Sequence, residues 1–222
     1  MRNLFEIDAW KIIENKFDSS KQKQAESIFS IGNGSFGQRA NFEEDYGGKQ
    51  LTGNYISGVY FKDRTKVSWW KNGYPDYFAK MVNCPNWNRL RIFVNDQLLD
   101  LDSCKEISFF IRELNMKEGW LSRSFEAILQ NGIKIKVDTK RFLRLELDAV
   151  GAINYNVTPI NAAAKITYIP YLDAGISNED TNWDDQFWDV LKIDQNKKQS
   201  FIVSLIPIWV VFVTLLMFRV YS

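Results

Sequence analysis

The sequence predicts an all-β chain of short antiparallel strands, folded as a sandwich or a barrel. Three observations carry that expectation. Strand-like runs recur with turn residues between them about every 8–12 residues. Residues Ile133 to Asp138 alternate apolar and charged side chains at period two, the pattern of a half-buried strand. No helical periods stand between the strands to supply the crossovers of a parallel sheet. At 222 residues, with 45% hydrophobic and 25% charged side chains, the composition is that of one globular domain.

Trp10 to Lys23 has no clean period and Asp18-Ser19-Ser20 reads as a turn, so a short strand or irregular lead-in is expected there. The next stretch, Glu26 to Tyr60, holds Gly32, Gly34, Gly37, Gly47, Gly48, Gly53 and Gly58 out of the chain's 12 glycines. Such density marks tight reversals and close backbone approach. Ile28, Phe29 and Ile31 lead as a strand into the Asn33-Gly34 turn, Gly37 to Phe42 is a second extended piece, and Glu43-Glu44-Asp45 is an acidic turn. Gly53 to Phe61 is a third strand with a bulge at Gly58. Lys62 to Trp87 reads as one long aromatic loop punctuated by Pro75 and Pro85. Arg89 to Val94, the turn Asn95-Asp96 and Leu98 to Leu101 form a hairpin. Ile107 to Leu114 and Trp120 to Leu129 pair around Lys117-Glu118-Gly119, and Asn131-Gly132 turns into the Ile133 strand, whose lysines are its solvated face. Arg141 to Leu147, Ala149 to Thr158 and Lys165 to Leu172 continue the run.

Composition also excludes chemistry. A net charge of +1 gives no electrostatic reason for a nucleic-acid partner, and with no histidine a Ser-His or Cys-His nucleophile is ruled out. Cys84 and Cys104 lack metal-ligand spacing and read as small buried apolar groups. No metal or cofactor is expected: the acidic, aromatic segment Asp173 to Leu191 lacks a calcium-loop pattern, and neighbouring carboxylates on a loop do not face one another across a bond. Residues 1–17 carry charges throughout and form no signal peptide, so Asn33-Gly34-Ser35 and Asn156-Val157-Thr158 have no secretory context as glycosylation triplets. Gly32-Asn33-Gly34-Ser35 is followed by no helix with a phosphate-binding lysine, which makes it a turn rather than a phosphate cradle.

Five quoted stretches make the chain recognisable. SIFSIGNGSFGQRANFEEDYGG (27–48) followed by GNYISGVYFKD (53–63) resembles the opening of glycoside hydrolase family 65, the maltose, trehalose and kojibiose phosphorylases. SWWKNGYPDYFAKMVNCPNW (68–87), LNMKEGWLSRSF (114–125) and YLDAGISNEDTNWDDQFWDVL (171–191) are similar to later blocks of that family in the same order. The resemblance implies a large antiparallel β-sandwich, supersandwich-like, that precedes a helical catalytic barrel. It implies a parent enzyme that splits a glucose disaccharide with inorganic phosphate as co-substrate, inverting the anomeric carbon. The acid and the phosphate pocket belong to the barrel, so no catalytic residue is assigned here and the chain alone is expected to be inactive. Carbohydrate, the missing barrel and a second copy in a homodimer are the implied partners. The aromatic loop is either a mini-core or a surface that meets sugar or the barrel, and Trp69, Trp70, Asn72 and Tyr74 are the candidate sugar contacts, because flat rings beside an amide suit stacking and hydroxyl recognition.

From residue 201 the character changes. Phe201 to Phe218 carries no charge, between Lys197-Lys198 and Arg219, and reads as an apolar helical tail of marginal membrane-spanning length. The expected division is therefore a domain over 1–200 and a tail over 201–222. Either the tail anchors the domain to a membrane through residues 201–218, or it is out of frame and the sandwich is truncated. A sandwich cut part-way leaves an aggregation-prone edge, which favours the second reading and a cytoplasmic protein. A free-standing carbohydrate-binding or interaction module, with or without the anchor, is the alternative function.

Overall fold

Period-two alternation builds the centre of the molecule: along Trp120–Ile128 and Lys134–Leu143 every second side chain is buried. A computed structural model describes residues 5–65, 75–147, 150–178, 186–195, 199–206 and 210–217. In chain order the first strands are β1 (Glu6–Ile7), β2 (Lys11–Glu14), β3 (Ile31–Gly32), β4 (Phe36–Gln38), β5 (Asn54–Ile56), β6 (Tyr60–Arg64), β7 (Tyr77–Met81), β8 (Asn86–Val94) and β9 (Gln97–Leu98). They are followed by β10 (Glu106–Asn115), β11 (Trp120–Ile128), β12 (Lys134–Leu143), β13 (Gly151–Pro159), β14 (Ile166–Asp173), β15 (Asp189–Gln195), β16 (Gln199–Ile206) and β17 (Val210–Met217). One α-helix, α1 (Gln22–Ile28), lies between β2 and β3.

All pairings are antiparallel among the described residues. The largest sheet runs β1-β2-β10-β11-β12-β13, and a second runs β14-β8-β9. The two share one core in a sandwich-like arrangement: Phe110, Phe125, Ala127, Ile135 and Val137 pack with Ile92, Val94, Leu99 and Leu101, and Phe42 and Tyr46 join them. The turn Asn95-Asp96 takes positive φ at both residues, 47° and 63°, the two-residue geometry that matches strand twist. Gly132 and Gly119, at φ 82° and 71°, turn the next two hairpins.

Several elements differ from the sequence expectation. Gln22–Ile28, expected as lead-in and strand, is helical: Gln, Lys, Ala and Glu favour helix, and Asp18 accepts from Ser20 N at 3.0 Å to cap the preceding turn. Lys62 to Trp87 is not one loop, because β6 and β7 pair over Tyr60–Arg64 and Tyr77–Met81. Gly58, at φ +79°, sits in the turn between β5 and β6 rather than in a bulge. Within the apolar stretch 201–218 the described residues are extended: β16 pairs with β15 on one side and β17 on the other. Ile202, Val203, Ile206, Val210, Val211, Val213 and Thr214 are β-branched, which favours extended backbone over helix, and Pro207 stands between the two strands in sequence. Among the described residues no helix is long and apolar enough to cross a membrane.

The acidic turn is the largest surprise of packing. Glu43 and Glu44 are 3% and 0% exposed, because alternation along β10, β11 and β12 also turns Arg112, Arg123 and Arg141 inward. These arginines lie between the main core and a second apolar cluster of Ala25, Phe29, Leu114, Leu121 and Leu143. Arg112 and Arg123 face each other across the strands, a like-charge pair that needs counter-charge. Arg123 donates to Glu44 through Nη1 and to Glu43 through Nη2 at 2.9 Å, and Arg141 Nη1 lies 3.2 Å from Glu43 Oε1. Arg112 Nη2 donates to Gln22 Oε1 at 2.8 Å, with its Nε 3.1 Å from Glu14 Oε2 but out of line for a hydrogen bond. Burial opposes the charge of Arg123, but Glu44 and Glu43 outweigh it and raise its pKa, so it stays ionised. Burial pushes the Glu14 and Glu26 carboxyls up, against the pull of Arg112.

A third cluster, Val59, Val82, Cys84, Ile176, Phe187 and Trp188, lies under the smaller strands. Burial pushes the Cys84 thiol up to about 12, and burial followed by the Asp100 and Glu44 charges does the same at Cys104. Thiolate is the reactive form, so at pH 8 both are held as thiols. Native protein is expected to resist labelling by a thiol reagent on the timescale at which urea-unfolded protein takes up two equivalents; rapid native labelling would refute the burial of these groups.

Candidate functional site

The residues chosen from sequence as sugar contacts, Trp69, Trp70, Asn72 and Tyr74, lie outside the described residues. The ribbon beside them is described. Thr65 N donates to Asp76 O at 2.8 Å and Thr65 Oγ1 to Pro75 O at 2.6 Å, so the residues at 65 and 75–76 are held together. On one face of the ribbon Tyr60, Lys62 and Arg64 oppose Met81, Ala79 and Tyr77, and Lys62 Nζ sits 4.6 Å from the Tyr77 ring centroid. On the other, Lys80 and Asp63 form a buried ion pair at 2.9 Å beside Phe61 and Phe187, whose rings lie 4.6 Å apart.

The chemistry-bearing concavity lies nearby in the chain but was not singled out from sequence. A cavity of about 150 Å³ is lined by Gln50, Thr52, Asn86, Arg89, Asp173, Gly175, Ile176 and Ser177. Its walls come from the glycine-rich stretch, the start of β8, and the end of β14 with the segment after it. Arg89 is fixed by two partners: Nε donates to Tyr171 OH at 3.0 Å and Nη2 to Asp45 Oδ1 at 3.1 Å. Asp45 also accepts from Arg91 Nε at 2.6 Å and from Tyr171 OH at 2.7 Å. Burial alone would raise the Asp45 carboxyl, but the bonds from Arg91 and Tyr171 and the two arginine charges prevail and hold it below the ordinary range. Asp173 Oδ1 accepts from Gly175 N at 3.0 Å, and Asn86 Oδ1 from Asn88 N at 3.2 Å. On two of the lining residues a buried side-chain atom makes no hydrogen bond, Arg89 Nη1 and Gln50 Oε1, each closed off from solvent.

The cavity is held open by a hub at Asn83. Its Oδ1 accepts from Asn54 N at 2.8 Å, and its Nδ2 donates to Thr52 O at 3.2 Å and Ser177 O at 3.3 Å. Its backbone is engaged as well: Asn83 N donates to Asn178 Oδ1 at 2.8 Å and Trp188 Nε1 donates to Asn83 O at 2.8 Å. Three segments distant in sequence are thereby stitched into one rigid wall. The available signal was Asn83 itself, an amide flanked by Val82 and Cys84 and followed by proline, which is a poor surface-turn context and a good one for bridging. Among the described residues no group of three or more His, Cys, Asp or Glu could hold a metal ion.

Comparison with known proteins gives consistent matches. Residues 12–211 match the family model described as glycosyl hydrolase family 65, N-terminal domain. The chain is 43% identical over 187 residues to the maltose phosphorylase of Bacillus subtilis (strain 168), covering 84% of this chain and 24% of that protein. It is 30% identical over 182 residues to the alpha,alpha-trehalose phosphorylase of Thermoanaerobacter brockii, covering 79% of this chain and 23% of that protein. A solved structure provisionally described as a kojibiose phosphorylase from the human microbiome superposes with a TM-score of 0.80 at 28% identity, over 92% of this chain and 26% of that one. The chain thus spans about a quarter of the length of these relatives.

Proposed function

The chain belongs to glycosyl hydrolase family 65, through that family's N-terminal domain, and from this premise we propose that it is the non-catalytic N-terminal domain of an inverting α-glucoside phosphorylase acting on a disaccharide such as maltose, trehalose or kojibiose. One observation carries the reading: the match falls on the N-terminal-domain model and spans 24% of maltose phosphorylase. Phosphorolysis with inversion needs a carboxylic acid to protonate the leaving oxygen while phosphate attacks the opposite face of the sugar. Both the acid and the phosphate pocket are assigned to a catalytic barrel. This domain, a supersandwich-like β-sandwich, supports that barrel, shapes the mouth of its site and takes part in dimer contacts of a cytoplasmic enzyme. Trp69, Trp70, Asn72 and Tyr74 are the residues that this reading assigns to contact with sugar or the barrel.

Two measurements test the reading. The chain alone, given each disaccharide and inorganic phosphate, is expected to release no glucose 1-phosphate; measurable turnover would overturn the non-catalytic assignment. Replacing the matched segment of the Bacillus subtilis maltose phosphorylase with this chain is expected to preserve phosphorolysis of maltose, and a folded but inactive chimera would count against a shared supporting role.

A further inference from the structure

We propose that Glu14 and Glu26 together form one buried proton-binding site, two carboxylates set against a single guanidinium, which takes up its proton above the range of ordinary carboxylates and steadies the fold as it does so. The charges of the buried layer do not balance. Glu43 and Glu44 answer Arg123 and Arg141, two against two. What remains is Arg112 against Glu14 and Glu26, all three at or below 1% exposure. Both carboxylates reach that one cation along a single line of contacts. Arg112 Nε lies 3.1 Å from Glu14 Oε2, Arg112 Nη2 donates to Gln22 Oε1 at 2.8 Å, and Gln22 Nε2 donates to Glu26 Oε1 at 3.1 Å. With both carboxylates ionised the group carries one negative charge in excess, away from water, and a proton removes that cost.

The neighbouring elements do not supply the missing charge. Toward Glu14, at the end of β2, Asp18 from the turn before α1 adds a negative charge that outweighs the more distant Arg123 of β11. Toward Glu26, on α1, Arg39 is half-buried, donates to Ser27 Oγ at 2.6 Å and acts less strongly than Arg112. Tyr46 stays neutral, its hydroxyl pushed up to about 12 by burial and then by the Asp102 and Asp100 charges. Burial brings the Arg112 guanidinium down to about 10, so it remains a cation at neutral pH. Both Glu26 oxygens accept hydrogen bonds, from Gln22 Nε2 and from Leu51 N, whereas Glu14 Oε2 accepts none and has a lone pair open to a proton. Burial pushes both carboxyls up, against Arg112 at Glu14 and against Leu51 N, Gln22 and Arg112 at Glu26. Because both draw on Arg112, a proton gained by one leaves the guanidinium to the other, and the proton is assigned to the site as a whole.

A carboxyl raised in the folded state makes that state bind more protons than the unfolded chain. The stability it contributes is therefore fully present on the acid side and is lost as the pH rises through the site's own value. The sequence has no histidine, which leaves the interval from about pH 5 to about 7.5 clear of side chains that titrate there at their ordinary values. Urea unfolding across that interval is expected to show an unfolding equilibrium constant that rises with pH, by up to about tenfold per pH unit, the slope of one proton. Glu14→Gln and Glu26→Gln each even the charges while keeping the shape of the side chain, and each is expected to flatten the slope. Carbon-13 shifts of the carboxyls, assigned through the side chains of the unsubstituted protein, read the site directly and do not depend on either variant folding. At least one of Glu14 and Glu26 is expected to titrate above the ordinary glutamate value of about 4.3. A slope that persists in both variants, or two carboxyls that both titrate at or below that value, would overturn the proposal.

Discussion

Arg123→Ala destabilises the fold by about 3–5 kcal/mol, the cost of leaving buried charges without their partner. The expected fall in Tm is roughly 6–20 °C, taking about 2–4 °C per kcal/mol for a chain of this size. The reason is local. Glu44 is 0% exposed and Glu43 3%, and Arg123 is the cation that meets both carboxylates. Tyr155 also donates to Glu44 Oε2 at 2.9 Å, which helps orient the carboxylate but brings no charge. Combining Arg123→Met with Glu44→Gln removes one charge from each side, leaves Arg141 its Glu43 partner, and is expected to cost less than Arg123→Ala alone. Urea denaturation followed by tryptophan fluorescence measures both. A loss below about 1 kcal/mol for Arg123→Ala would mean that the layer behaves like an exposed ion pair.

Asn83→Ala is expected to cost about 2–4 kcal/mol, since three backbone groups lose a buried partner at about 1–3 kcal/mol each and the longer bonds contribute least. The affected groups are Asn54 N, Thr52 O and Ser177 O, at 2.8, 3.2 and 3.3 Å. Asn83→Asp retains the acceptor for Asn54 N and loses both donors, so it should keep the Asn54 amide protected while loosening residues 175–177. Hydrogen exchange reads this directly. An Asn54 amide equally protected in the wild type and in Asn83→Ala would show that the hub does not hold the wall.

The strands that alternate cleanly were readable from sequence. Arg89 to Val94 with its Asn95-Asp96 turn, and the segments that became β10, β11 and β12, each combine period-two patterning with a turn residue of the right handedness, and local rules suffice there. Local rules failed where a distant contact decided the outcome. Glu43-Glu44-Asp45 looks like a solvated turn until Arg112, Arg123 and Arg141 are known to face inward, and inward arginines on an alternating strand are indistinguishable from outward ones without the partner sheet. Helix α1 was missed because its seven residues are too few for a clear period, and it is held by burying Gln22, Ala25 and Glu26. Hydropathy alone does not distinguish helix from strand in an apolar run such as the tail, whereas β-branched content bears on that choice. The cavity was invisible for the same reason as the acidic turn, since its lining is gathered from three separated stretches.

The ionic layer also has a bearing on the order in which the chain acquires structure. Glu44 and Arg123 are 79 residues apart, and Arg123 and Glu43 are 80 apart. The meander β10-β11-β12 is made of neighbouring hairpins and is quick to pair by topology, yet alone it would bury three arginines with no counter-charge. Covering its inner face therefore calls for the carboxylates at 43–44. Because a chain emerges from its N-terminus first, the glutamates leave the ribosome before the arginines that need them. Translation thus delivers the two halves of the layer in the workable sequence.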